Sequence, residues 1–66
     1  MTVLVNGKAH ELEDGETVAL LLERLGLDGR YALVERNGEA VERARYEQVD
    51  LMEGDELVVA RPVAGG

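Results

Sequence analysis

Glu56-Leu57-Val58-Val59-Ala60-Arg61 is the stretch from which the fold of this chain is read. Its two alternating sets of positions are both apolar, Leu57 and Val59 on one side and Val58 and Ala60 on the other. A strand of that kind belongs at the centre of a sheet. The tight turn Glu53-Gly54-Asp55 launches it, and Pro62, which has no N–H to give to a ladder, ends the pairing. The first strand has the same character, with Val3 and Val5 facing one way and Leu4 the other. Both terminal strands are therefore expected in the middle of one sheet.

Working inward, Thr2 to Val5, the turn Asn6-Gly7 and then Ala9 to Leu12 carry a hairpin signal, because Asn-Gly readily supplies the positive φ values of a two-residue turn. After Glu13-Asp14-Gly15, Thr17 is the expected N-cap and Gly26 the expected C′ residue of a helix over Val18 to Leu25. Position N3 is Leu20, so there is no capping box. Val18, Leu21, Leu22 and Leu25 share one face, which is assigned to the core. Tyr31 to Arg36 reads as a third strand that turns at Asn37-Gly38 into Glu39-Ala40-Val41. Arg43 to Met52 is irregular, with Tyr46, Val49 and Leu51 as core contributors. One helix covers one face of the sheet and leaves the other partly bare. The order of strands around a single crossover helix gives an α+β roll of the β-grasp type, with a mixed four- to five-stranded sheet. The whole of 1–66 is one domain, and 62–66 reads as a flexible C-terminal diglycine tail.

Composition narrows the function. Sixty-six residues without a cysteine offer no disulfide and no thiolate metal site, so stability must come from a compact aliphatic core. A formal charge of −7 repels phosphate backbones and disfavours nucleic acid, while it attracts a basic patch on a protein partner. Neither a signal segment nor a run long enough to span a bilayer is visible, and cytoplasmic residence is the expectation. With no Ser, no Cys and one His, Ser/His or Cys/His nucleophile arrangements cannot be assembled. Carboxylate pairs such as Glu11 and Glu13, or Glu53 and Asp55, are read as a solvated face rather than as acid/base machinery. His10 is read as an exposed strand residue, and a lone His has no partners for a metal. The glycines are turn glycines spread along the chain, not a phosphate loop.

What remains is Val63-Ala64-Gly65-Gly66. Two residues without Cβ make a narrow thread that is free in φ/ψ, and the group at its tip is the Gly66 α-carboxylate. Its ordinary pKa near 3.3 to 3.7 makes it an anion and a poor electrophile at neutral pH. Something must activate it, and conversion to an acyl-adenylate supplies a good leaving group. Pro62 to Gly66 can extend roughly 16 Å at about 3.3 Å per residue, enough to carry the carboxylate into a buried site while the folded body docks outside.

These features together resemble the ubiquitin-like prokaryotic sulfur carriers, above all the thiamine-pathway ThiS family. The resemblance runs from end to end, through Val3-Leu4-Val5-Asn6-Gly7, Thr17-Val18 with Leu21-Leu22, Ala32 to Glu39, and Gly54-Asp55 ahead of the last strand and Gly65-Gly66. Only the diglycine is chemically specific. Where family members often carry Pro-Arg-Ser after the second hairpin, this chain has Glu42-Arg43-Ala44. The resemblance implies a non-enzymatic carrier, a monomer when free, with no bound cofactor. A separate adenylating enzyme of the ubiquitin-activating type would use ATP to activate Gly66. Sulfur from a cysteine desulfurase route would make the thiocarboxylate, and thiazole synthase would consume it. Gly65, Ala64 and Val63 would be the tail residues recognised, and the bare sheet face with Leu4, Val58 and Ala60 is the expected docking surface. The small subunit of molybdopterin synthase and carriers for tRNA thiolation share this ending. A β-grasp interaction module without tail chemistry is the alternative from another class.

Overall fold

The computed structural model describes residues 1–61, so Pro62 to Gly66 lie outside the described residues. The elements are β1 (Thr2–Val5), β2 (Lys8–Glu11), α1 (Val18–Arg24), β3 (Leu33–Arg36), β4 (Glu39–Ala40), a 3₁₀ turn (Arg43–Arg45) and β5 (Glu56–Ala60). They build a five-stranded mixed sheet in the order β2-β1-β5-β3-β4. As the two-sided apolar pattern requires, β5 lies in the middle, parallel to β1 and antiparallel to β3. This is the ubiquitin-like β-grasp expected from the sequence.

The two hairpins follow from their turns. Asn6 and Gly7 have φ of 52° and 81°, and Asn37 and Gly38 have 51° and 86°. A two-residue turn that matches strand twist needs positive φ at both central positions. Asparagine tolerates that region better than other residues with a Cβ. The registers are then fixed, with Val3 opposite His10 in the first hairpin and Glu35 opposite Ala40 in the second.

The N-terminal N–H groups of α1 find partners from two sources. The Thr17 hydroxyl accepts from the Leu20 N–H at 3.2 Å, and the Thr17 carbonyl accepts from Leu21 at 3.0 Å. Val18 and Ala19 donate to the carbonyls of Val49 and Tyr46, so the irregular segment after the second hairpin completes the cap. At the other end Gly26, with φ of 74°, donates to Glu23 and Leu27 donates to Leu22, the bond pattern of a Schellman cap. Val18, Leu21 and Leu22 are buried against Val3, Val5, Val34, Leu57 and Val59, while Leu25 is partly buried at the edge of that cluster. Tyr46 and Leu51 are core as read, and the Tyr46 hydroxyl donates to the Ala32 carbonyl at 2.8 Å.

Several boundaries differ from the sequence reading. The third strand begins at Leu33 rather than Tyr31, because the N–H groups of Tyr31 and Ala32 both turn back to the Asp28 carbonyl. The last strand ends at Ala60 rather than Arg61, and the fourth stops at Ala40, although Val41 still donates to Val34. His10 is half-buried rather than exposed, since its register partner Val3 faces the helix.

Candidate functional site

The face of the sheet that α1 does not cover is defined by strand alternation. Leu57 and Val59 point into the core, so Val58 and Ala60 point away from it, and Leu4 does the same between Val3 and Val5. Leu4 is 37% exposed and Val58 53%. All three residues singled out from the sequence thus lie together on the open face. Leu33 joins them, at 54% exposure and directly opposite Ala60 in the β3–β5 register. Sequence reading missed it. The alternation around the buried Val34 hinted at it, but the register that sets Leu33 beside Ala60 depends on strands far apart in sequence.

Carboxylates surround this apolar strip. Glu56 stands opposite Leu4, and Glu35 stands opposite Val58. Glu11 lies at the outer edge, where it accepts a hydrogen bond from the Thr2 hydroxyl. An apolar centre with an acidic surround suits a protein surface that offers apolar contact and peripheral cations.

Where β5 ends, its hold on the sheet is asymmetric. Val59 is opposite Val34 and Ala60 opposite Leu33 on the β3 side. On the β1 side the last backbone bond runs from the Asn6 N–H to the Leu57 carbonyl at 2.8 Å. Beyond it the Asn6 side chain takes over: Oδ1 accepts from the Val59 N–H at 2.9 Å and Nδ2 donates to the Val59 carbonyl at 3.0 Å. The proposed acyl site Gly66 and its neighbours Gly65, Ala64 and Val63 lie outside the described residues.

At the start of β5 the chemistry is ionic. Asp55, expected on a solvated face, is 5% exposed. Its carboxylate accepts from the Met52 N–H at 2.8 Å, the Asn37 side-chain amide at 3.1 Å and Arg36 Nε at 2.9 Å. Burial pushes the Asp55 carboxyl up, but those three donors outweigh it and hold the pKa below the usual carboxylate value. Glu16, also 5% exposed, is a second buried carboxylate. Its paired Arg24, opposed by burial and helped by the Glu13 N–H, holds its carboxyl below the ordinary range. Neither carboxylate opens onto a convergent set of catalytic groups; both tie loops to the core. Among the described residues no cluster of three or more His, Cys, Asp or Glu could hold a metal, and no helix is long and apolar enough to cross a membrane. A shallow groove beside the C-terminal end of α1 is lined by residues of both charges, among them Glu23, Arg30, Arg43 and Glu47, around Leu22 and Tyr46.

Comparison with known proteins adds three findings. The chain is similar to a thiazole synthase of Paramagnetospirillum magneticum, with 38% identity over its full 66 residues, which cover 20% of that protein. A thiazole synthase of Magnetococcus marinus matches to the same extent, so the chain spans about a fifth of the length of these relatives. Among solved structures, the crystal structure of a thiamine biosynthesis protein, ThiS, from Geobacter metallireducens superposes with a TM-score of 0.83 at 30% identity, covering 100% of both chains. SAMP1 from Haloferax volcanii shares the fold, with a TM-score of 0.60 at 22% identity over 98% of this chain and 97% of that one. The ThiS family model matches residues 3–66, a span that contains every strand but the first residue of β1 and both final glycines. The chain belongs to the ThiS family.

Proposed function

We propose that this chain is a sulfur carrier of thiamine biosynthesis, a protein co-substrate rather than a catalyst, whose chemistry takes place at the carboxyl group of Gly66. The observation that carries the reading is that the family match runs through Gly65 and Gly66 and does not stop with the folded body. The carboxylate attacks the α-phosphate of ATP on an adenylating enzyme of the ubiquitin-activating type, and pyrophosphate leaves. A persulfide supplied through a cysteine desulfurase route then displaces AMP through its outer sulfur, and thiol cleavage of the S–S bond of the resulting acyl disulfide releases the C-terminal thiocarboxylate. Its sulfur goes to thiazole formation. Relatives in which a similar stretch makes up a fifth of a thiazole synthase support thiazole synthase as the consuming partner.

The folded body serves as the address. Its open face presents Leu4, Leu33, Val58 and Ala60 within an acidic surround, and this is the surface assigned to partner docking. Catalytic groups come from the partner, and ATP is the partner's co-substrate.

Intact-mass measurement after incubation with the adenylating enzyme, ATP and a sulfur source tests the reading. The mass should rise by the difference between one sulfur and one oxygen, at Gly66. Removal of Gly66 should abolish the change without unfolding the domain, and Gly65→Val should block adenylation, because a β-branched side chain widens and stiffens the thread. An unchanged mass with an active partner overturns the carrier reading. A thiocarboxylate that thiazole synthase cannot use retains the carrier chemistry and removes the thiamine assignment.

A further inference from the structure

The backbone of β1 cannot follow β5 to its end. It leaves the sheet at Asn6-Gly7, both of positive φ, two residues before the β1-facing groups of Val59 would need partners. Parallel pairing stops at Val5 with Leu57, and the Asn6 N–H makes the last main-chain bond, to Leu57. The side chain of Asn6 then copies a peptide group. Its amide accepts from the N–H and donates to the C=O of Val59, at 2.9 and 3.0 Å. No other uncharged side chain of this length offers both an acceptor and a donor in this geometry while tolerating the left-handed backbone of the turn.

We infer that Asn6 is a positioning residue for the chemistry at Gly66: it fixes the point at which β5 is released on its β1 side, and so the direction in which the chain leaves the docked body toward the reacting carboxyl. The inference rests on the sulfur-carrier reading and deepens it. Gly66 lies seven positions beyond Val59, a reach of about 23 Å at roughly 3.3 Å per residue. Without the clamp, the last hold on the β1 side moves back from Val59 to Leu57, which adds about 7 Å of slack on that side. Val59, like Ala60, is then held through β3 alone. A body that docks normally then presents its carboxyl less often in the reactive geometry, and the loss falls on the chemical step rather than on docking. The open-face residues Leu4, Leu33 and Val58 do not depend on the amide, so affinity for the partner is retained.

The test pairs Asn6→Gly with Asn37→Gly. Glycine keeps the positive φ of either turn and deletes only the amide. By hydrogen exchange, Asn6→Gly should speed the Val59 amide about tenfold, the factor expected from the loss of bonds of this strength. The amides of Leu4 and Val41, bonded to Asp55 and Val34, serve as unchanged references. In ATP–pyrophosphate exchange with the adenylating enzyme, Asn6→Gly should lower kcat roughly five- to tenfold at constant KM. Asn37→Gly, which acts at the opposite end of β5, should leave both constants unchanged at temperatures where the protein is folded. Asn6→Asp, which keeps the acceptor and loses the donor, should lie between wild type and Asn6→Gly, and supplies the reading if the glycine variant folds poorly. Wild-type exchange with no change in either Asn6 variant overturns the positioning role alone, as does an equal loss in Asn37→Gly. No exchange with the unsubstituted chain overturns the carrier reading, and the role of Asn6 with it.

Discussion

Asn6-Gly7 and Asn37-Gly38 are the same dipeptide in the same turn geometry, and each sends its asparagine amide to β5, yet they hold that strand by different chemistry. Asn6 grips the end of β5 through a neutral pair with the Val59 backbone. Asn37 grips its start: Oδ1 accepts from the Glu56 N–H at 2.9 Å, and Nδ2 donates to the Asp55 carboxylate, which also holds Arg36 and Met52. A local turn signal therefore fixes the hairpin, but what surrounds the side chain decides what else the residue does. The entry clamp is charged and built on a buried carboxylate, Asp55; the exit clamp is neutral and confined to the backbone of one residue, Val59.

The largest expected effect comes from the strand between the clamps. Leu57→Asp would bury an unpaired carboxylate where the side chain is 1% exposed, and should leave the domain unfolded by circular dichroism. Val58→Asp, one residue on and 53% exposed, should fold, with a stability loss below about 1 kcal/mol in urea, in part from facing Glu35. The same variant should weaken partner binding. If Val58→Asp unfolds and Leu57→Asp does not, the faces of β5 are reversed, and the docking surface must be reassigned.

Asp55→Ala should come next, at about 3 kcal/mol in urea denaturation, because it strips partners from Met52, Asn37 and Arg36 together. Protonation is the milder form of that lesion. Asp55 and Glu16 both have folded pKa values below their ordinary ones, so the stability they supply is complete above the unfolded carboxylate value near 4 and is lost as pH falls through the folded values. Hydrogen exchange in that acidic window should open the Glu56 amide before the Val59 amide, whose partner Asn6 does not titrate. Simultaneous opening would show that the two ends of β5 act as one unit.

The turns were legible in the sequence because Asn-Gly is a local instruction, carried by two residues and their φ preferences. The helix was legible for the same reason, down to Thr17 and Gly26, as was the central place of β5, which needs only two-sided apolarity. The partners of the asparagine side chains were not. Asn6 meets Val59 across 53 residues and Asn37 meets Asp55 across 18, and a single sequence does not encode such pairings in any short window. The same gap hid the burial of Asp55, which was read with Glu53 as part of a solvated face, the burial of Glu16, and the place of Leu33 beside Ala60.

The smallest effects belong to the glycines. Gly7→Ala and Gly38→Ala each force a Cβ into positive φ, at 81° and 86°, with open space around it. Each should cost about 1 kcal/mol in thermal or urea unfolding, and the two costs should agree. Unequal costs would show that the backbone of the turns, and not only the asparagine contacts, differs between the two hairpins.

The central place of β5 has a consequence for how the molecule is assembled. Its neighbours β1 and β3 come from separate hairpins, and in the sheet it is β5 that joins them. Until β5 inserts, the two hairpins are halves of a sheet with facing, unsatisfied edges and apolar side chains on both. Such edges are templates for pairing with another chain, and closing the gap requires contacts between residues about fifty positions apart, which makes the step slow. Aggregation and completion thus compete for the same hydrogen-bonding edges. The strand that leads toward Gly66 is also the one whose late arrival decides whether a newly made chain completes its sheet or becomes a seed.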